Sequence, residues 1–205
     1  MVSIFVPVKI KAENTKFHIL EQSAQLINIK GYAATSLGDI TAITGLTKGA
    51  IYGHFKDKED LALKVFDYNF TMRMGDLTRY LSAYPDPVEK LLALINYYRT
   101  DFVIRFWQTG GCPVINTGVE VDDQFPVLKE AVNHAITHML KGLNKLVSDA
   151  HKAAGSSIAI DIPYYTYVIF SAIQGALLTT KTTGDTKYLH YTLDHLEKMI
   201  RDEIL

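Results

Sequence analysis

Residues 36–58 read SLGDITAITGLTKGAIYGHFKDK, and the fold turns on this stretch. Ser36 with Asp39 three positions later has the spacing of a capping box, so a helix is predicted to start there. Ile40 and Ile43 are expected to face inward before Gly45 stops that short helix. Thr47 suits a second N-cap, with a helix expected to about Phe55 and with Ile51 and Phe55 one turn apart on its inner face. Two short helices joined through a glycine fit a helix-turn-helix. The second helix of such a unit must enter a major groove about 12 Å wide, so its leading face has to be short and polar. Thr47, Lys48, Gly49 and Ala50 meet that need, and the two small residues let the backbone approach base edges. Tyr52 and His54 are expected to project sideways toward the flanking phosphates. Gly53, inside the expected helix, costs ~1 kcal/mol against alanine, which a helix lodged against DNA or crowded neighbours would explain. Lys58 falls in the first turn of the next helix, where the dipole disfavours a cation, so with the free N–H groups beside it the position makes an anion site.

Outward from this stretch nearly every periodic segment is helical. Phe17, Leu20, Ala24 and Ile27 make one expected inner stripe over 14–29, closed by Gly31. Leu61, Val65, Tyr68 and Met72 continue a longer helix to about residue 80. After the break Tyr84-Pro85-Asp86-Pro87, a helix carries Val88, Leu91, Leu92, Ile95 and Phe102. Gly110-Gly111-Cys112-Pro113 breaks the pattern again, with irregular chain expected to Asp123. The longest helix is expected over 125–154, a further one from Asp161 and Pro163 to about Thr182, and the last over 186–203. No strand pair competes. The reading is all-α, about nine helices, divided into a tail (1–12), a head with the helix-turn-helix (13–58) and a longer helical body (59–205).

Composition narrows the function. With 48% hydrophobic residues in 205, the chain can bury a core, which excludes disordered and collagen-like classes. One cysteine rules out an internal disulfide framework and a zinc site built on several thiolates. The net charge of −1 argues against whole-surface attraction to nucleic acid, yet residues 1–58 carry seven lysines against four acids, a net of +3. A local patch on the head is therefore expected to do the docking. Met1–Ile10 is apolar but broken by Pro7 and makes a poor secretory leader, and no apolar run of about 20 residues follows, so a cytoplasmic protein without a membrane span is expected. No phosphate loop, nucleophile elbow or dinucleotide fingerprint appears. His134 and His138 share four-residue spacing without a carboxylate between them. No enzyme activity and no cofactor are expected.

Gly31-Tyr32-Ala33-Ala34-Thr35-Ser36-Leu37-Gly38-Asp39-Ile40, then Gly45 to Phe55, then Lys58-Glu59-Asp60-Leu61, resembles the DNA-binding domain of TetR/AcrR-family transcriptional regulators. The likeness runs in order without a gap. It implies a three-helix DNA-binding head over 13–58 on a helical ligand-binding and dimerisation body over 59–205, and a homodimer that binds a pseudo-palindromic operator on double-stranded DNA and is released by a small-molecule inducer. It implies that Thr35, Ser36 and Lys58 contact phosphates, that Thr47, Lys48, Gly49 and Ala50 lie at base edges, and that Tyr52 and His54 meet backbone or thymine methyl groups. The head departs from the family at Thr41, at Leu26-Ile27-Asn28 where an aromatic is usual, and in having no arginine. Gly111 to Asn116, with Glu120 after it, resembles one branch of the same family.

The body is rich in aromatic residues. An apolar cavity with a few polar points is the usual small-molecule site. Tyr97, Tyr98, Phe102, Phe106, Trp107, Tyr167 and Phe170 are candidates for its walls, with Cys112 as a small buried residue beside them, and Asn116, His134, His138 and Gln174 for its polar points. Cys112 also admits an alternative function, a regulator that senses oxidants or electrophiles through its thiolate. Ser171, Gly175 and Thr179, beside Ala172 and Ala176, form a small-residue stripe, and Leu189, Leu193, Leu196 and Ile200 an apolar seam. These last two helices are expected to pair the subunits across a two-fold axis.

Overall fold

The computed structural model describes residues 8–121 and 125–205, with side chains from residue 13. Among the described residues there are nine helices and no strand. α1 is Val8–Lys30, α2 Leu37–Thr44, α3 Lys48–Tyr52 and α4 Lys58–Leu81. α5 covers 87–109 and is made of Pro87–Tyr97, a π-helical turn at Tyr98–Phe102, and Val103–Thr109. α6 is Pro113–Gly118, α7 Pro126–Ala154 and α8 Ile162–Thr183. α9 covers 187–204, ending in a π-helical turn at Ile200–Ile204.

The local signals behave as their chemistry requires. Ser36 and Asp39 form a reciprocal capping box, Thr47 caps α3 through Ala50 N–H, and Asp57, Asp86 and Asp161 cap α4, α5 and α8. Gly45 ends α2 in the left-handed region. Some expectations need correcting. Helix α1 begins at Val8, so positions 8–12 of the expected tail are helical, while 1–7 lie outside the described residues. The chain expected to be irregular to Asp123 contains α6; residues 122–124 lie outside the described residues. Helix α3 stops at Tyr52, which makes Gly53 a C-cap with φ −69° rather than a mid-helix glycine, so the helix-propensity cost assigned to it does not apply.

Two apolar clusters organise the chain. The head core holds Ile19, Ala24, Ile40, Ile51, Phe55, Leu61 and Val65. The first two turns of α4 therefore belong to the head by packing. Phe17 is 53% exposed and lies edge-on against Tyr68, while Ile19 takes the inner position between α1 and its neighbours. Ile43 and Met72 are likewise exposed. Thr44 replaces Ile43 on the inner face, because its hydroxyl donates to Ile40 O and accepts from Leu46 N–H. The larger cluster belongs to the body and includes Leu91, Ile95, Phe102, Leu128, Val147, Ile169 and Leu177. It also buries the whole seam of Leu189, Leu193, Leu196 and Ile200. That seam faces the protomer's own core and is unavailable to a second subunit.

Candidate nucleic-acid interface and ligand cavity

α3 is anchored from below and open above. Ile51 and Phe55 are buried, while Thr47, Lys48, Gly49 and Tyr52 are exposed and Ala50 and His54 half-buried. A methyl group built on Gly49 meets nothing within 4 Å, so this face is clear for an approaching surface. Lys48 has no ion-pair partner among the described residues. The turn before α3 is held rigidly, since His18 Nε2 lies 3.1 Å from Thr44 O and fastens α1 to the end of α2.

The phosphate candidates divide. Ser36 is exposed, its hydroxyl shared with Asp39 at 2.7 Å. Asp39 is held well below the usual carboxylate range, chiefly by its hydrogen bond from Lys30 and then by Ser36. Thr35 is instead fully buried, its hydroxyl donating to Gly31 O at 2.6 Å, so it shapes the turn from inside and does not reach the surface. Lys58 Nζ lies 4.5 Å above the Tyr32 ring and is half-buried. Desolvation lowers its pKa, against the pull of Glu120 and Asp39.

Behind this head, a polar joint ties α1 to the body. The Glu120 carboxylate accepts Tyr32 N–H at 2.8 Å and Ala33 N–H at 2.7 Å, one on each oxygen. Gly31, with φ +88°, lies so close that a Cβ there would sit 3.0 Å from Glu120 Oε1. Asn28, 8% exposed, donates to Thr109 O and Gly111 O. Asn116 donates to Asn28 O and Oδ1 and to Gly110 O, and accepts from Lys181 at 2.5 Å. A methyl on Gly110 would meet Ile29 at 2.5 Å, so head and body touch with no slack. Asn116 is thus a fastening between head and body and not a cavity residue. The sequence signal for this joint was Asn28, standing where the resembling family prefers an aromatic.

The body contains a cavity of about 430 Å³ between α4, α5, α7 and α8. Its walls include Met74, Leu77, Leu81, Leu94, Met139, Leu143 and Ile173. Of the sequence candidates, Tyr98, His138, Phe170 and Gln174 line it. Gln174 Oε1 is buried there without a hydrogen-bond partner in the protein. Tyr97, Phe102 and Cys112 surround a separate void of about 20 Å³, too small for more than a water. Phe106 is buried beside Gly111. Trp107, Tyr167 and His134 face outward, because they fall on the opposite sides of their helices. Burial pushes the Cys112 thiol pKa up, although folding brings Arg73 and Lys181 near enough to pull it down. A buried thiol held protonated is a poor nucleophile, which removes the support for a thiolate sensor at this position. Sequence reasoning linked helix 58–80 to the cavity but put none of Met74, Leu77 and Leu81 among its walls, and it missed Lys90 and Gly142; helical periodicity marks a residue as inward without distinguishing a packed core from a void.

Comparison with known proteins agrees with this architecture. Residues 19–65 match the family model for bacterial regulatory proteins of the tetR family, and residues 87–196 match that for the tetracyclin repressor-like C-terminal domain. An HTH-type transcriptional regulator in the lacX 3′ region of Lactococcus lactis subsp. lactis is 30% identical over 90% of this chain and 92% of its own. The HTH-type transcriptional repressor DhaR of Mycobacterium sp. (strain GP1) is 24% identical over 80% of this chain and 81% of its own. Two solved structures described as TetR transcriptional regulators superpose with TM-scores of 0.86. The one from Cytophaga hutchinsonii is 32% identical, covering 93% of this chain and 95% of that one. The one from Chloroflexus aurantiacus is 31% identical, covering 95% and 98%. These relatives are transcriptional regulators, not enzymes. Among the described residues no helix is long and apolar enough to cross a membrane.

Proposed function

Because this chain belongs to the TetR family and is a DNA-binding transcriptional regulator, we propose that it acts as a repressor whose grip on a pseudo-palindromic operator is released by a small molecule. One observation carries this reading: α4 is at once a wall of the cavity, through Met74, Leu77 and Leu81, and a part of the head core, through Leu61 and Val65. Sixteen residues separate Leu61 from Leu77, a rise of about 24 Å. A tilt of about 5° imposed at the cavity end displaces the other end by about 2 Å, enough to move α3 out of register with the groove. The ligand acts by population shift, binding better to the conformer whose heads are wrongly spaced. Arg73, donating to Thr109 Oγ1, and Arg105, paired with Asp76, tie α4 to α5 between cavity and head, so motion of one wall reaches the other.

On the DNA side, Thr47, Lys48, Gly49 and Ala50 meet base edges, and Tyr52, His54 and Ser36 the sugar-phosphate backbone and thymine methyls. Thr35 and Lys58 keep the turn around Gly31 in shape. Two recognition helices must reach successive major grooves about 34 Å apart, which requires a dimer. With the apolar seam of α9 consumed inside the protomer, the pairing face is the outer stripe of the same two helices. It comprises Tyr164, Tyr167, Ser171, Gly175 and Leu178 on α8, at helical spacing, with Tyr188 and Tyr191 on α9, all exposed. The test is anisotropy of a labelled duplex taken from the DNA upstream of this gene. Lys48→Ala and Tyr52→Ala should each weaken binding about tenfold with unchanged sedimentation, and Lys48→Ala should relax discrimination at the base pair it meets. Unaltered affinity in both variants rejects the assignment.

A further inference from the structure

We propose that the cavity selects an anionic amphiphile: an apolar body carrying one carboxylate-like group that lies against Lys90. The inference rests on the reading of this cavity as the ligand site, and adds the ligand's charge. The walls are almost wholly apolar, which rewards a hydrocarbon body at roughly a fourfold gain in affinity per buried methylene. No Asp or Glu lines the cavity, and Lys90 is its lone Lys or Arg. Lys90 has no ion-pair or hydrogen-bonding side-chain partner among the described residues. It stands in the first turn of α5, where the helix dipole disfavours a cation and the Asp86 and Glu89 carboxylates offset that cost, yet its ammonium forms no ion pair with either. An anion seated beside it gains from the ammonium, whereas a cationic ligand meets its repulsion; the helix end itself is already capped by the Asp86 carboxylate and adds little. Gln174, whose Oε1 is buried without a protein partner, puts a second polar point on this wall, and rotation of its amide turns the NH₂ donors toward a carboxylate. Gly142 contributes an open stretch of wall, since a Cβ there meets nothing within 4 Å.

The full-length protein is titrated calorimetrically at pH 8 and low salt with decanoate, decan-1-ol and decyltrimethylammonium, three probes with one chain length and different charge. Decanoate should bind about three- to tenfold more tightly than decan-1-ol, with the ammonium weakest, and 0.5 M NaCl should shrink the difference. Lys90→Met should erase the decanoate advantage while leaving decan-1-ol unchanged. Gly142→Leu, which fills the cavity from a position where the side chain has room, should abolish binding of both. Decan-1-ol binding as well as decanoate, or an advantage that survives Lys90→Met, overturns the inference while the cavity reading stands. If none of the three binds, or if Gly142→Leu leaves decanoate binding intact, both fall.

Discussion

The joint at Glu120 makes a prediction that ordinary side-chain conservatism does not. Two backbone donors, Tyr32 N–H and Ala33 N–H, each take a different oxygen of one carboxylate at 2.8 and 2.7 Å. A hydrogen bond to a charged acceptor contributes about 1.5–3 kcal/mol when buried. The Ala33 bond is exposed and the Tyr32 bond half-buried, so both belong at or below the low end, and together they contribute about 2 kcal/mol. Glu120→Ala should therefore lower Tm by about 4–8 °C for a chain of this length. Glu120→Gln, nearly isosteric, should recover less than half of that loss. Its carboxamide offers a single acceptor oxygen and turns an NH₂ toward the second donor. Differential scanning calorimetry at matched protein concentration measures both. Operator affinity should fall in both variants as well, because a loosened head spends less time in the competent orientation. A Glu120→Gln protein with the parental Tm and operator affinity would refute the two-acceptor argument.

Gly31→Ala should destabilise the head by about 2 kcal/mol, from a left-handed φ and from contact with the Glu120 carboxylate, and combining it with Glu120→Ala should remove the steric part; additive losses in urea denaturation would show that the contact carries no strain. Tyr167→Asp with Tyr191→Asp, at positions 58% and 72% exposed, should convert a dimer to a monomer in sedimentation velocity without lowering helix content; an unchanged sedimentation coefficient places the interface elsewhere. Asp39 is ionised in the folded protein at pH values where the unfolded chain protonates, so the stability it contributes is full above the ordinary value of 3.8 and is lost as pH falls below it. Asp39→Asn should flatten the acid limb of the stability curve below about pH 4, and an identical limb in the variant would exclude the capping-box carboxylate as its source.

The head was legible in the sequence because its determinants are local. Ser36 to Asp39 and Thr47 to Ala50 are caps closed within three residues, and Gly45 ends a helix from a position next to it. Such contacts survive any arrangement of the rest of the chain, so the helices, their order and the exposed face of α3 follow from residue type and spacing alone. Tertiary packing decided the rest. Asn28 meets Asn116 across 88 residues, Glu120 reaches Tyr32 across the same separation, and the cavity joins Met74 to Gln174. Periodicity assigned Leu189, Leu193, Leu196 and Ile200 to a partner's surface, whereas the protomer's own core absorbed them and left the tyrosines outside. A helical stripe states that a face is to be buried, and only the assembled neighbours determine whether it meets its own chain, a second copy or an empty space large enough for a ligand.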